Sequence, residues 1–247
     1  MEILSVHDLR RHFGGLRALD GISLSVERGE RRALIGPNGA GKTTLFSVIG
    51  GELKPTAGRV VLKGEDVTGL TPYRLAQRGL GRTFQRNNLF LGLTAFENVR
   101  LAVQRRLGIS SHALRPARSY VAVNERTEQV LKSVGLVDTG QRPVRTLSHG
   151  EQRQLEIALA LAGDPELLLL DEPTAGISPA ETEAMVQLIR ALPVELTLLN
   201  IEHDMDVVFA LADRITVLHY GEVLAEGEPA AVRADPAVRE AYLGVRE

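Results

Sequence analysis

The sequence predicts an α/β fold: a sheet that is partly antiparallel in its N-terminal third and parallel thereafter, with an inserted α-helical stretch. Three observations predict it. The segment at 167–170 is apolar throughout, those at 196–201 and 215–219 are largely so, and all three alternate with helical segments, as strands do when helices cover both faces of a parallel sheet. The short strand Arg31-Arg32-Ala33-Leu34-Ile35 runs straight into a glycine-rich run and then a helix. The chain has 247 residues, 44% hydrophobic and 24% charged, which is ordinary globular composition. At roughly 150 residues per domain this length suits one large domain carrying an insertion.

The elements follow in order. Alternation in Ile22, Leu24 and Val26 reads as a half-buried strand, and the segment 60–62, ending at Gly64, as another. After the glycine-rich run, Leu45-Phe46-Ser47-Val48-Ile49 reads as a helix ended by Gly50-Gly51. From 87 to 144 the pattern changes, with helical spacing at 94–106 and 125–134 and no strand signal, so 87–144 is read as an inserted helical subdomain between the core segments 1–86 and 145–247. From Leu147 the α/β rhythm resumes, with helices from Glu151, at 179–191 and from Met205 between the three apolar strands.

Composition excludes several function classes. A net charge of −2 offers no positive field for nucleic acid, and 4% aromatic residues with no tryptophan offer no base-stacking platform. There is no cysteine, which rules out disulfides and thiolate chemistry. Charge from residue 2 onward and the lack of a long apolar run predict a soluble chain that reaches a membrane only through a partner. The stretch 99–124 carries Arg100, Arg105, Arg106, Arg115 and Arg118 and no acid. It reads either as a solvated face or as a surface near anionic lipid headgroups.

Gly36-Pro37-Asn38-Gly39-Ala40-Gly41-Lys42-Thr43 matches G-x-x-x-x-G-K-[ST] between a strand and a helix, and Thr44 continues it. Glycines there let backbone N–H groups turn toward phosphate oxygens, Lys42 supplies a charge for the β and γ oxygens, and the Thr43 hydroxyl can ligate Mg²⁺. Such a loop needs a carboxylate at the end of a neighbouring strand. Asp171, closing Leu167-Leu168-Leu169-Leu170, fits the Mg²⁺ shell, and Glu172 fits the general base for an attacking water.

A third motif narrows the class. Leu147-Ser148-His149-Gly150-Glu151, about 20 residues before Glu172, resembles the signature of ABC-type ATPases, which are P-loop NTPases. The resemblance implies that Ser148 and Gly150 bind the γ-phosphate of ATP held by a second ATPase subunit in a head-to-tail sandwich, with His149 and Glu151 departing from the usual Gly and Gln. It further implies that Gln85, in Gly81-Arg82-Thr83-Phe84-Gln85, senses Mg²⁺ or water, that His203 touches the γ-phosphate, and that Phe13 stacks on adenine. Ser178 stands where the wider family has Asp. The cofactors implied are ATP and Mg²⁺.

Arg11-His12-Phe13-Gly14-Gly15-Leu16, Gly81-Arg82-Thr83-Phe84-Gln85, Ile201-Glu202-His203-Asp204-Met205 and the ending Asp235-Pro236-Ala237-Val238-Arg239-Glu240-Ala241-Tyr242-Leu243-Gly244 resemble the ATPases of branched-chain amino acid importers. That resemblance implies transmembrane permease partners, indirectly a substrate-binding protein, and a place at the cytoplasmic face of the cell membrane. Urea and short-amide importer ATPases share the Leu-Ser-His-Gly form of the signature. An ATPase of lipopolysaccharide export and a soluble single-cassette assembly ATPase are further alternatives. A metal cluster at Glu202, His203, Asp204 and Asp206 is disfavoured, because consecutive strand residues face opposite ways.

Overall fold

The computed structural model describes residues 1–83, 89–109 and 119–243. The chain divides into two compact units, one of Met1–Leu80, Glu166–Glu172 and Pro193–Glu247, the other of Gly81–Pro165 and Pro173–Leu192.

The first unit opens with β1 (Glu2–Phe13), β2 (Leu16–Glu27), β3 (Arg31–Ile35) and helix α1 (Lys42–Ile49). Then follow β4 (Ala57–Leu62), β5 (Glu65–Asp66), α2 (Pro72–Gln77) and β6 (Leu80–Arg82), whose first residue closes this stretch. An antiparallel sheet forms in the order β2-β1-β4-β5, as the alternation in the N-terminal third predicts. Its strand β1 is not visible in the patterning. Residues 3–6 are all buried, and register shifts between Val6 and Leu9, with Asp8 left-handed at φ 43°, break the two-residue period.

The later chain supplies β7 (Leu167–Asp171), β8 (Thr197–Ile201), α7 (Met205–Leu211), β9 (Arg214–His219), β10 (Glu222–Gly227), α8 (Pro229–Ala234) and α9 (Pro236–Leu243). A six-stranded sheet runs β10-β9-β3-β8-β7-β6. Strands β7, β8, β3 and β9 pair in parallel, and β10 returns antiparallel to β9. Residues 167–170 are 0% exposed, and burying one leucine contributes about 1.5–3 kcal/mol. Leu34, Phe46, Leu169, Leu199 and Ile201 share one core, so α1 and three strand ends are fixed to each other by packing. Buried Arg32 on β3 is held by Glu30 at 2.5 Å, Glu226 at 2.9 Å and the Thr216 hydroxyl at 3.1 Å. A buried cation persists only when partnered in this way.

The second unit holds α3 (Ala95–Arg106), α4 (Val121–Ser133), α5 (His149–Leu161) and α6 (Pro179–Ala191). It contains the described part of 87–144 and, besides, α5 and α6. Thr94 and Glu97 form a capping box at the start of α3. Helix α5 starts two residues before the sequence reading because Ser148 caps it. The basic stretch has an acid from elsewhere in the chain, since Asp164 pairs with Arg106 at 3.7 Å and also with Arg126. Arg115 and Arg118 lie outside the described residues.

Candidate functional site

In the first unit, β3 delivers the chain into the glycine-rich loop and α1 leaves it. Gly36, at φ 154°, passes so close to β9 that a Cβ would stand 2.3 Å from the Leu218 carbonyl oxygen. Gly41 caps α1 at φ 104°, and a Cβ there would meet the Ala18 carbonyl oxygen at 2.6 Å. Both positions therefore require glycine. No side chain caps α1 and no acid sits in its first turn, which leaves its N–H groups and dipole end available to an anion. Lys42, 6% exposed, donates from Nζ to the carbonyl oxygens of Gly36 at 2.6 Å and Pro37 at 3.1 Å. Burial lowers its pKa, and the charge of Glu172 works in the opposite direction.

Asp171 closes β7 and is 2% exposed, while Glu172 lies one residue further on. Glu172 is left-handed at φ 50°, held by its N–H donating to the Ile201 carbonyl oxygen at 3.0 Å. A non-glycine residue in that region is strained, and strain of this kind concentrates at functional sites. The twist turns the carboxylate to His203, just past the end of the adjacent β8, where Nε2 and Oε1 lie 2.7 Å apart. The acidic neighbours of His203 do not converge with it. Asp204 caps α7, accepting from the N–H groups of Asp206 and Val207, and among the described residues no cluster of metal-ligating side chains forms.

A cleft of about 470 Å³ in this unit brings many of the predicted residues together, though Gly36, Pro37 and Asp171 are not among its lining. The run from Asn38 to Thr44 lines it with Phe13, Glu172 and His203. Phe13 ends β1, is 43% exposed, and carries the Arg11 guanidinium 4.5 Å above its ring. Gln85 lies outside the described residues.

Two residues, one lining the cleft and one near the start of the phosphate loop, escape sequence reasoning. Tyr220 lines it from the β9–β10 turn, left-handed at φ 48°. That turn braces the loop, since the Gly221 N–H donates to the Ala40 carbonyl oxygen at 3.1 Å. Tyr242 on α9 lies near the Gly36 N–H, which lowers its pKa, but burial outweighs this and pushes the value up to about 12. Tyr220 belongs to no local motif, and Tyr242 stands in the ending that carries the importer resemblance without being singled out there. For Tyr220, a tyrosine where a two-residue hairpin turn favours Asn is the one signal the sequence holds.

Ser148 and Gly150 lie in the second unit, at the start of α5, and do not line the cleft. Ser148 is the N-cap, accepting at Oγ from the Glu151 N–H at 3.1 Å, and its own N–H donates to Glu151 Oε2 at 2.7 Å. Glu151 thus completes a capping box that Gln would also complete, which accounts for that departure from the family pattern. The Ser148 hydroxyl and the Gly150 N–H both donate to Glu181 on α6, at 3.0 and 3.1 Å. Ser178 caps α6 in a second box with the same Glu181.

Comparison with known proteins places this geometry in a family. The model described as "ABC transporter" matches residues 19–175, and one described as "Branched-chain amino acid ATP-binding cassette transporter" matches 222–247. The high-affinity branched-chain amino acid transport ATP-binding protein BraF of Pseudomonas aeruginosa is 42% identical, the alignment covering 98% of each chain. The LivG protein of Escherichia coli K12, of the same description, is 40% identical over the same shares. Among solved structures, the ADP conformation of MJ1267, an ATP-binding cassette of an ABC transporter, superposes with a TM-score of 0.86 at 32% identity, covering 99% of this chain and all of that one. A dimeric post-hydrolysis state of the cassette MJ0796, bound to ADP and Pi, gives 0.76 at 29% identity, covering 92% and 98%. With the phosphate loop, the strand-end carboxylates and a 42% identical relative of matching length, the chain belongs to the ATP-binding cassette ATPases of the ABC transporter family.

Proposed function

We propose that this chain hydrolyses ATP to power a membrane importer of branched-chain or other small amino acids. The contact that carries the hydrolytic half is Glu172 to His203 at 2.7 Å, opening on the same cleft as Lys42. The family match over 222–247 and the BraF and LivG relatives support the substrate class.

In this reading adenine stacks on Phe13, a contact worth about 1–3 kcal/mol by analogy with base stacking on aromatics. The phosphates enter the loop from Gly36 to Thr44, and Lys42 leaves its carbonyl partners to meet the β and γ oxygens. Thr43 and Asp171 would hold Mg²⁺, with Gln85 joining them. A hydroxyl with carboxylate and amide oxygens is an oxygen-only set, which suits an ion that binds through one or two protein ligands and the nucleotide phosphates. When bound, the ion neutralises charge that develops on the phosphate oxygens. Glu172 takes the proton of the water attacking the γ-phosphorus, ADP leaves with the bridging oxygen, and inorganic phosphate is the second product. His203 orients the Glu172 carboxylate through Nε2 and lies within reach of the γ-phosphate.

Ser148 and Gly150 serve the ATP of a second ATPase subunit in a head-to-tail pair, a reading supported by the dimeric relative with ADP and Pi. The helical segment 87–144 is the face offered to the permease subunits, which in turn receive cargo from a substrate-binding protein. Among the described residues no helix is long and apolar enough to cross a membrane. In this reading the chain attaches at the cytoplasmic face through those subunits, as the importer relatives support.

Reconstitution with the permeases in proteoliposomes tests the proposal, with ATP-driven uptake of leucine, isoleucine or valine as the expected result. Hydrolysis without uptake of these or of any other small amino acid would overturn the cargo. A wild-type rate in Glu172→Gln would overturn the site.

A further inference from the structure

The signature residues already hold an anion, and it belongs to the chain itself. One oxygen of Glu181, Oε1, accepts from the Ser148 hydroxyl at 3.0 Å and the Gly150 N–H at 3.1 Å. The other, Oε2, accepts from the Ser178 N–H at 3.0 Å and the Ser178 hydroxyl at 2.8 Å. The capping box of α6 uses Oε2 alone, so Oε1 is not needed to start that helix. Gly150 permits the approach. A Cβ there would stand 2.6 Å from Oε1, although the position has no left-handed φ that would itself call for glycine.

A hydroxyl and a first-turn N–H of a thirteen-residue helix are donors suited to a phosphate oxygen, and a carboxylate oxygen matches such an oxygen in charge and acceptor geometry. We propose that Glu181 is an internal stand-in for the γ-phosphate, seated on Ser148 and Gly150, and that the partner subunit's nucleotide must displace its Oε1 before the two subunits close on ATP. The inference rests on the reading above that these residues serve the opposite subunit's ATP. Glu181 then sets the ATP concentration needed for closure, and Oε2 keeps hold of Ser178 while Oε1 is exchanged. Protonation does not do the displacing in the physiological range, because the hydrogen bonds from Ser178, Ser148 and Gly150 hold the Glu181 pKa down to about 2. The exchange is anion for anion.

Two measurements test this. In a Glu172→Gln background, which traps the ATP-bound pair, adding Glu181→Gln should lower the ATP–Mg²⁺ needed for half-maximal dimer in sedimentation by about tenfold, the scale of one charge-assisted hydrogen bond. Gln at the third helical position still completes a capping box, so the fold should hold. An unchanged or raised ATP requirement would overturn the proposal. Independently, inorganic phosphate is titrated into ¹⁵N-labelled full-length protein without nucleotide, against chloride at equal ionic strength. The Gly150 amide should move in Glu181→Ala and stay still in the wild type, and an amide that ignores phosphate in the variant also overturns the proposal. If Glu172→Gln alone never dimerises, the head-to-tail reading fails. The Gly150 titration then decides by itself whether Glu181 guards an anion site.

Discussion

The two anion sites we propose lie at helix starts, one in each unit, and they are finished in opposite ways. At α1 the N-cap is Gly41, no side chain caps the helix, and the cation meant for phosphate folds back onto the carbonyls of Gly36 and Pro37. At α5 the cap is Ser148 in a complete capping box, and a carboxylate from α6 occupies the outward donors. The first site pairs its cation with backbone carbonyl oxygens. The second has its anion and must release it. Physically these are the two ways of satisfying polar groups meant for a ligand: turn the cation inward onto backbone oxygens, or supply the missing charge from a neighbouring helix.

The comparison breaks most sharply at the cleft. Losing a positioned general base costs about 10²–10⁴-fold in rate, so Glu172→Gln should bind nucleotide normally and nearly stop hydrolysis, as phosphate release under single-turnover conditions would show. Lys42→Ala should act on binding itself. A hydrogen bond to a charged group is worth about 1.5–3 kcal/mol, which predicts about 10- to 100-fold weaker ATP binding by calorimetry. Normal affinity in that variant would mean the inward-folded lysine never reaches the phosphates.

What the sequence disclosed follows the same division. The phosphate loop, Asp171 and Glu172, and the signature are each contiguous, so their chemistry shows in local order, and the apolar strands β7, β8 and β9 announce a sheet covered on both faces. The contacts that finish the two sites are not contiguous. Glu181 meets Ser148 across 33 residues, and Tyr242 meets Gly36 from the far end of the chain. Glu172 reaches His203 only through a left-handed backbone that no residue pattern encodes. Strand β1 is hidden by its bulges. Strand β10 is hidden because, at the sheet edge, its residues are intermediate or exposed with no regular alternation.

Tyr242 sharpens the comparison at lower cost. Its hydroxyl lies near the N–H of the first residue of the phosphate loop, so Tyr242→Phe removes at most one polar contact at the start of that loop. One neutral hydrogen bond is worth about 0.5–1.5 kcal/mol. The expected result is a rise of about 2- to 10-fold in the KM for ATP with kcat kept. A fall in kcat at unchanged KM would place the residue outside loop positioning.

The smallest effect lies at the second site and is read in pH. Glu181 has an ordinary pKa of 4.5, which the native state holds down to about 2, chiefly through hydrogen bonds from the Ser178 backbone and hydroxyl and then from Ser148. Between those values the unfolded chain binds a proton that the folded one does not, so stability rises with pH across the window. The contribution is complete above about 4.5 and is lost as pH falls toward about 2. The group is only half-buried and solvent screens it, which keeps the effect modest. Thermal melts of the wild type and Glu181→Gln between pH 2 and 7 should therefore differ in slope below about 4.5 and run parallel above it. Parallel curves throughout would mean that the carboxylate spends little time on the signature donors in solution, and the contrast between an open and a self-occupied anion site would dissolve.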